Sequence, residues 1–265
     1  MSGKPLALIT GASGGIGEAI ADELAKRGYD LVLLARSKGL LDNVARRLSD
    51  QHGVGAETLE LDLAAPGAVA RVSAALDGRV PHILVNNAGY GLTGAFAGQD
   101  RAKQLGMIDL NVHALTALTH AMVTPMLEAA RKPSTHRRGI INIASTASFQ
   151  PGPLMAVYYA TKAYVLSFSE ALNYELRGTG LTCLAICPGP TLTRFQETAE
   201  FSGQVLLKLM PVMSAGQVAE RGMKAFFKGK AVIIPGFFNW LMARLAPITP
   251  RFVLLPMVAF MQKDR

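Results

Sequence analysis

Cysteine is almost missing from this chain, with two in 265 residues, Cys183 and Cys187. Both fall in residues 181–187, an alternating strand-like run. They read as buried thiols of a reducing compartment, not as a disulfide framework. No Cys/His grouping has metal-ligand spacing and the five histidines do not pair, so no metal site is expected. Long uninterrupted apolar runs are also missing. A spanning helix needs about 20 mostly apolar residues. Residues 110–127 lack charge but hold Asn111, His113, His120 and Pro125, and so read as a buried helix. The first residues lack a secretory pattern and run straight into a strand, which predicts a cytoplasmic protein.

Acids are in short supply, 19 against 27 Lys and Arg, and the shortage is local. Residues 220–265 carry eight Lys/Arg and two acids, so most of the net +8 lies there. No nucleic-acid-binding motif accompanies that charge, which argues against a nucleic-acid partner. The same segment is strongly apolar, with Phe237, Phe238, Trp240, Leu241, Phe252, Leu254 and Leu255 broken up by four prolines. A cover over a substrate site, or a peripheral membrane contact, would use such a tail.

What is present alternates between two periods. Apolar runs at 6–10, 31–35, 58–63, 83–85, 140–144, 181–187 and 231–234 read as strands. Helical spacing marks 16–27, 40–48, 69–76, 102–130 (broken near Asn111), 158–177 and 214–227, the last opened by a Ser214/Gln217 capping box. Strands alternating with helices predict a Rossmann-like α/β fold, a doubly wound, seven-stranded parallel sheet in a single domain. No internal repeat, low-complexity stretch or clear linker interrupts it. The expected division is a domain over residues 1–235, with an insertion near 191–213, and an apolar, basic extension over 236–265.

The chemistry-bearing pattern begins with Tyr158 and Lys162. Four residues apart on a helix, they share a face at about 6 Å. An ammonium at that distance favours the phenolate and should draw the tyrosine pKa below its usual value of about 10. A tyrosine tuned in this way exchanges protons near neutral pH. Earlier, Gly11-Ala12-Ser13-Gly14-Gly15-Ile16-Gly17 joins the first strand to a helix N-terminus. Glycines there let backbone approach a pyrophosphate, and first-turn N–H groups bind it. At the end of the second strand, where an NAD enzyme usually has an acid, stands Arg36; a guanidinium suits a 2′-phosphate. Asp30 lies at the wrong end of that strand.

With Thr10-Gly11-x-x-x-Gly15-x-Gly17, Asn86-Asn87-Ala88-Gly89, Asn111, Ser145, Tyr158-x-x-x-Lys162 and Pro188-Gly189 in this order, the chain resembles the short-chain dehydrogenase/reductase family over about residues 5–235. The resemblance implies catalytic Asn111, Ser145, Tyr158 and Lys162, with Ser145 polarising the substrate oxygen, Lys162 on the nicotinamide ribose and Asn111 holding a water. It implies NADP(H) held by Gly11, Ser13, Gly15, Ile16, Gly17, Arg36, Asp62, Leu63, Asn86, Ala88, Gly89, Tyr158, Lys162, Pro188, Gly189 and Thr191. Ser13 occupies a position that is basic in some NADP-type relatives. Tyr159 is turned about 100° from Tyr158 along the helix and reads as packing.

The segment 192–213 carries Phe195, Phe201, Leu206, Leu207, Leu209, Met210 and Met213, which predicts a hydrophobic small-molecule substrate such as a lipid, a steroid-like ketone or a 3-ketoacyl group. A homodimer or homotetramer is implied, built on charge-poor helices with Val165, Phe168, Ala171, Leu172 and Glu175 on one face. The alternatives are a non-catalytic cofactor-sensing protein, against which the four intact catalytic positions argue, and a membrane-peripheral protein.

Overall fold

The computed structural model describes residues 4–192 and 212–262; the expected substrate residues from Phe195 to Met210 lie outside them. The main sheet comprises β1 (Leu6–Thr10), β2 (Asp30–Ala35), β3 (Ala56–Glu60), β4 (Ile83–Asn86), β5 (Arg138–Ile143), β6 (Leu181–Ile186) and, after the short pair β7 (Thr191–Leu192) and β8 (Met213–Ser214), β9 (Val232–Ile233). Its order is β3-β2-β1-β4-β5-β6-β9 and every pairing is parallel. The order reverses between β1 and β4, the switch point at which such sheets bind ligands.

The helices are α1 (Gly15–Ala25), α2 (Lys38–His52), α3 (Ala68–Leu76), α4 (Arg101–Ile108), α5 (Leu115–Ala130), α6 (Ala156–Glu175), α7 (Ala215–Phe227), α8 (Phe237–Leu245) and α9 (Arg251–Gln262). Side chains of a strand alternate between faces, and here both faces are covered. Ala7 and Ile9 of β1 pack with Ile20 and Leu24 of α1, Leu41 of α2 and Phe226 of α7. Leu6 and Leu8 pack with Val72 of α3 and Leu118 and Met122 of α5. Fully burying each such aliphatic side chain contributes about 1.5–3 kcal/mol. Cys183 and Cys187 are buried free thiols, and burial pushes each up to about 12.

Several local expectations shift. The third strand ends at Glu60 rather than residue 63, because its register with β2 runs out at Ala35. Leu61 N–H still donates to Ala35 O at 3.0 Å, and then Asp62 turns the chain by accepting from Ala64 N–H at 3.0 Å. Asp30 opens β2 instead of preceding it. The break near Asn111 is a π-helical segment, Asp109–Ala114, joining α4 to α5. The capping box at Ser214 and Gln217 is formed in both directions. Val165, expected on an association face, is fully buried against Ala144 and Cys187.

Candidate active site

At the carboxyl ends of the strands lies a cavity of about 840 Å³. Its first wall is the glycine turn. Gly11 (φ 64°) and Gly15 (φ 61°) take left-handed backbone, which glycine adopts without strain. A Cβ on Gly17 would stand 2.4 Å from Gly11 O, so this residue lets α1 close onto the turn. The α1 N-terminus carries no side-chain cap, which leaves its first-turn amides to an anion.

Thr10 and Asn87 hold this turn in place. Thr10 Oγ1 accepts from Asn87 N–H and Ala88 N–H, each at 3.0 Å. Asn87 Nδ2 donates to Thr10 O at 3.0 Å and Gly11 O at 2.9 Å. Both residues stood within quoted motifs, Thr10-Gly11-x-x-x-Gly15-x-Gly17 and Asn86-Asn87-Ala88-Gly89, but neither was given a role from sequence. Beside the turn, Arg36, Asp62 and Leu63 line the cavity, and Arg36 is exposed.

The reacting-group wall is built by β5 and α6. Ser145 lies just beyond the end of β5, and its Oγ accepts from Ala147 N–H at 3.1 Å, capping a short 3-10 turn. It is also hydrogen-bonded to Tyr158. Burial pushes the Tyr158 phenol up to about 12, and the Ser145 bond opposes that rise. The expected lowering by Lys162 is not found. Lys162 Nζ lies 5.8 Å from the Tyr158 ring centre and donates to Ile143 O at 2.8 Å, while burial lowers its own pKa to about 8. For both groups burial, which disfavours the charged form, is the largest cause of the shift.

Three expected residues stand off the cavity wall: Gly17, Asn86 and Asn111. Asn86 Nδ2 turns into the core, donating to Thr119 Oγ1 at 2.9 Å and Asn142 Oδ1 at 2.8 Å. Asn111 is 1% exposed. Its Oδ1 accepts from Tyr90 N–H at 3.1 Å and its Nδ2 donates to Tyr90 O (2.9 Å) and Thr161 Oγ1 (3.1 Å). The amide donors are therefore both engaged in clamping the loop after β4 to α6. Gly11, Ser13, Gly15, Ile16, Ala88, Gly89, Pro188, Gly189 and Thr191 do line the cavity.

A further part of the lining comes from α8 and α9, with Met242, Leu254, Met257 and Met261. Gly189 meets α8 so closely that a Cβ there would lie 2.5 Å from Asn239 Oδ1. Tyr159 does more than pack: it lines the cavity and its hydroxyl accepts from Gln262 Nε2 at 2.7 Å.

The arrangement fits a nicotinamide dinucleotide: an uncapped helix N-terminus behind a glycine turn, a cation at the end of β2, and a proton-bearing tyrosine hydrogen-bonded to a serine. Matching against known proteins agrees with it. The profile of the short chain dehydrogenase family covers residues 5–201. A very-long-chain 3-oxoacyl-CoA reductase of Anas platyrhynchos is 34% identical over 199 residues, 73% of this chain and 62% of that protein. The chain thus spans about three fifths of the length of that curated relative. Among solved structures, a short-chain dehydrogenase from Sphingobium yanoikuyae in complex with NADPH superposes with a TM-score of 0.80 at 35% identity, covering 92% of this chain and 94% of that one. The bulky-bulky ketone specific alcohol dehydrogenase from Comamonas testosteroni gives 0.76 at 32%, covering 91% of each chain.

Proposed function

The chain belongs to the short-chain dehydrogenase family, and we propose that it is an NADP(H)-dependent oxidoreductase acting on the carbonyl/alcohol pair of a hydrophobic substrate. One observation carries the reading. Ser145 and Tyr158 meet by hydrogen bond in the wall of a cavity whose adjoining lining, from α8 and α9, is almost wholly apolar. Reactive polar groups beside an apolar lining favour a greasy molecule with a single polar reacting centre.

Gly11, Ser13, Gly15 and Ile16 would hold the diphosphate, Asp62 and Leu63 the adenine side, Ala88 and Gly89 the adenosine ribose, and Pro188, Gly189 and Thr191 the nicotinamide. Arg36 supports NADP(H), since no carboxylate stands at the end of β2 and a guanidinium pairs with a 2′-phosphate through two parallel bonds. When bound, the nicotinamide supplies or accepts the hydride. Tyr158 holds its proton at Oη throughout the neutral range, so in the reducing direction it is the donor to the carbonyl oxygen. Ser145 bonds both that oxygen and the phenol, and stabilises negative charge as it develops. Lys162 sits next to Tyr158 as a buried cation and would also contact the nicotinamide ribose. Asn111 acts from behind, fixing the Tyr90 loop against α6.

The names of two relatives, a very-long-chain 3-oxoacyl-CoA reductase and a bulky-bulky ketone alcohol dehydrogenase, support a large apolar substrate. Self-association as a homodimer or homotetramer is supported by the exposed Leu105 and Ile108 of α4 and Tyr164 of α6. We place the protein in the cytoplasm. The test is NADPH consumption against long-chain 3-oxoacyl thioesters, steroid ketones and bulky aryl ketones, with NADH as control. Turnover of at least one apolar class with NADPH is expected; turnover only of small polar carbonyls overturns the substrate reading.

A further inference from the structure

Fifteen large hydrophobic side chains are exposed among the described residues, and nine of them fall between Phe237 and Phe260. That concentration makes the exposed surface of α8, α9 and their connection strongly apolar rather than dotted with single hydrophobic residues. Phe237, Ile248 and Phe252 are 78%, 77% and 80% exposed and stand away from the cavity. Phe238, Met257 and Phe260 are also exposed, yet line the cavity as well. The rim of the substrate site is therefore part of that apolar surface.

We propose that this face rests on an anionic lipid surface and that the apolar substrate enters the cavity from the lipid, across the rim of Phe238, Met257 and Phe260. The charge pattern selects the occupant. Residues 236–262 contain no Asp or Glu, and Arg244 and Arg251 are their only charged residues. A second copy docking by a two-fold contact would bring this face against itself, four arginines in all with no carboxylate from residues 236–262 to pair them. Anionic headgroups pair them directly. Arg244 lies 5.9 Å over the Trp240 ring, which in turn stacks on Phe237 at 5.9 Å, an arrangement of aromatic rings beside a cation suited to the headgroup boundary. No helix among the described residues is long and apolar enough to cross a membrane, so the contact lies in the interface plane. The route for substrate rests on the reading of the cavity given above; the lipid contact itself does not.

Flotation of the full chain, loaded with NADPH, on vesicles of phosphatidylcholine with or without phosphatidylglycerol tests this. The wild type should float with the anionic vesicles and partition roughly thirty-fold more weakly onto neutral ones, the effect of two surface arginines. The variant Phe237→Glu/Ile248→Glu/Phe252→Glu should stay at the bottom while binding NADPH as the wild type does and reducing a short, water-soluble ketone at the same rate. The pair Arg244→Gln/Arg251→Gln should lose the lipid-charge dependence and keep the fold. No flotation on anionic vesicles, or flotation unchanged in the triple variant, overturns the proposal. So does light scattering in which the triple variant turns a wild-type oligomer into monomers without any vesicle effect. Flotation without turnover of any carbonyl compound would refute the assigned activity and leave the lipid contact standing.

Discussion

Gln262 Nε2 donates to Tyr159 Oη at 2.7 Å, a buried bond between residues 103 positions apart. It ties α9 to α6 at the residue next to Tyr158. The Tyr159 ring meets the Tyr158 ring edge-on, 6.1 Å between centres, and a Cβ on Gly152 would stand 2.2 Å from the Tyr159 ring. The helix that closes the apolar side of the cavity is thus anchored against the proton-donor side.

Gln262→Leu removes the donor and leaves the Tyr159 hydroxyl buried without it. Stability should fall by about 1–3 kcal/mol, the cost of one unsatisfied buried group, read as a lower urea midpoint at unchanged slope. In kinetics KM for a bulky substrate should rise while kcat for a small ketone is retained. Loss of both together would mean that α9 positions Tyr158 itself.

Tyr158→Phe deletes one hydroxyl on the cavity wall. Turnover should drop by about 10²–10⁴, the worth of a general acid, with NADPH affinity by fluorescence titration intact. A variant that keeps more than about a tenth of the wild-type rate contradicts the role.

Arg36→Asp should reverse the cofactor preference. Losing a charge-assisted bond of about 1.5–3 kcal/mol weakens NADPH binding roughly ten- to hundred-fold, whereas NADH binding should hold or improve. Equal dissociation constants for both cofactors in the wild type would refute the assignment.

His82 predicts a pH effect on stability. Burial lowers its imidazole from 6.5 to about 4, with Arg138 and His136 adding repulsion. Its neutral Nδ1 accepts from Leu6 N–H at 3.3 Å, and Tyr29 and His136 present ring edges to it. The folded pKa lies below the unfolded one, so the unfolded chain binds more protons between those values. This contribution is complete above pH 6.5 and is lost as pH falls towards 4. Urea midpoints across that window should decline in the wild type and flatten in His82→Gln. An unchanged slope in the variant would assign the acid sensitivity elsewhere.

Local rules made much of this protein readable in one dimension. A strand, a glycine turn and a helix start within residues 6–17 follow from apolar runs and backbone freedom, and Tyr158 and Lys162 share a helix face because four residues make about one turn. What those rules missed depends on neighbours distant in the chain. Asn86 was placed by motif beside the cofactor, yet Thr119 and Asn142 draw its side chain into the core. Val165 fits an association stripe by spacing, and Ala144, Ala185 and Cys187 bury it.

The amino-acid order by itself determined the parallel sheet and the glycine turn, since periodicity and turn chemistry act over a few residues, whereas the strand order and its switch point came from the tertiary structure. Tertiary structure alone decided the direction in which the two pKa values move. The interior removes solvent from Tyr158 and Lys162, raising one pKa and lowering the other, where spacing alone predicts that Lys162 would lower Tyr158. It also decided that α8 and α9 close the cavity with one side and present Phe237, Ile248 and Phe252 to the outside with the other. Hydrophobicity is a property of each residue, whereas what it is buried against is settled only when the chain has packed.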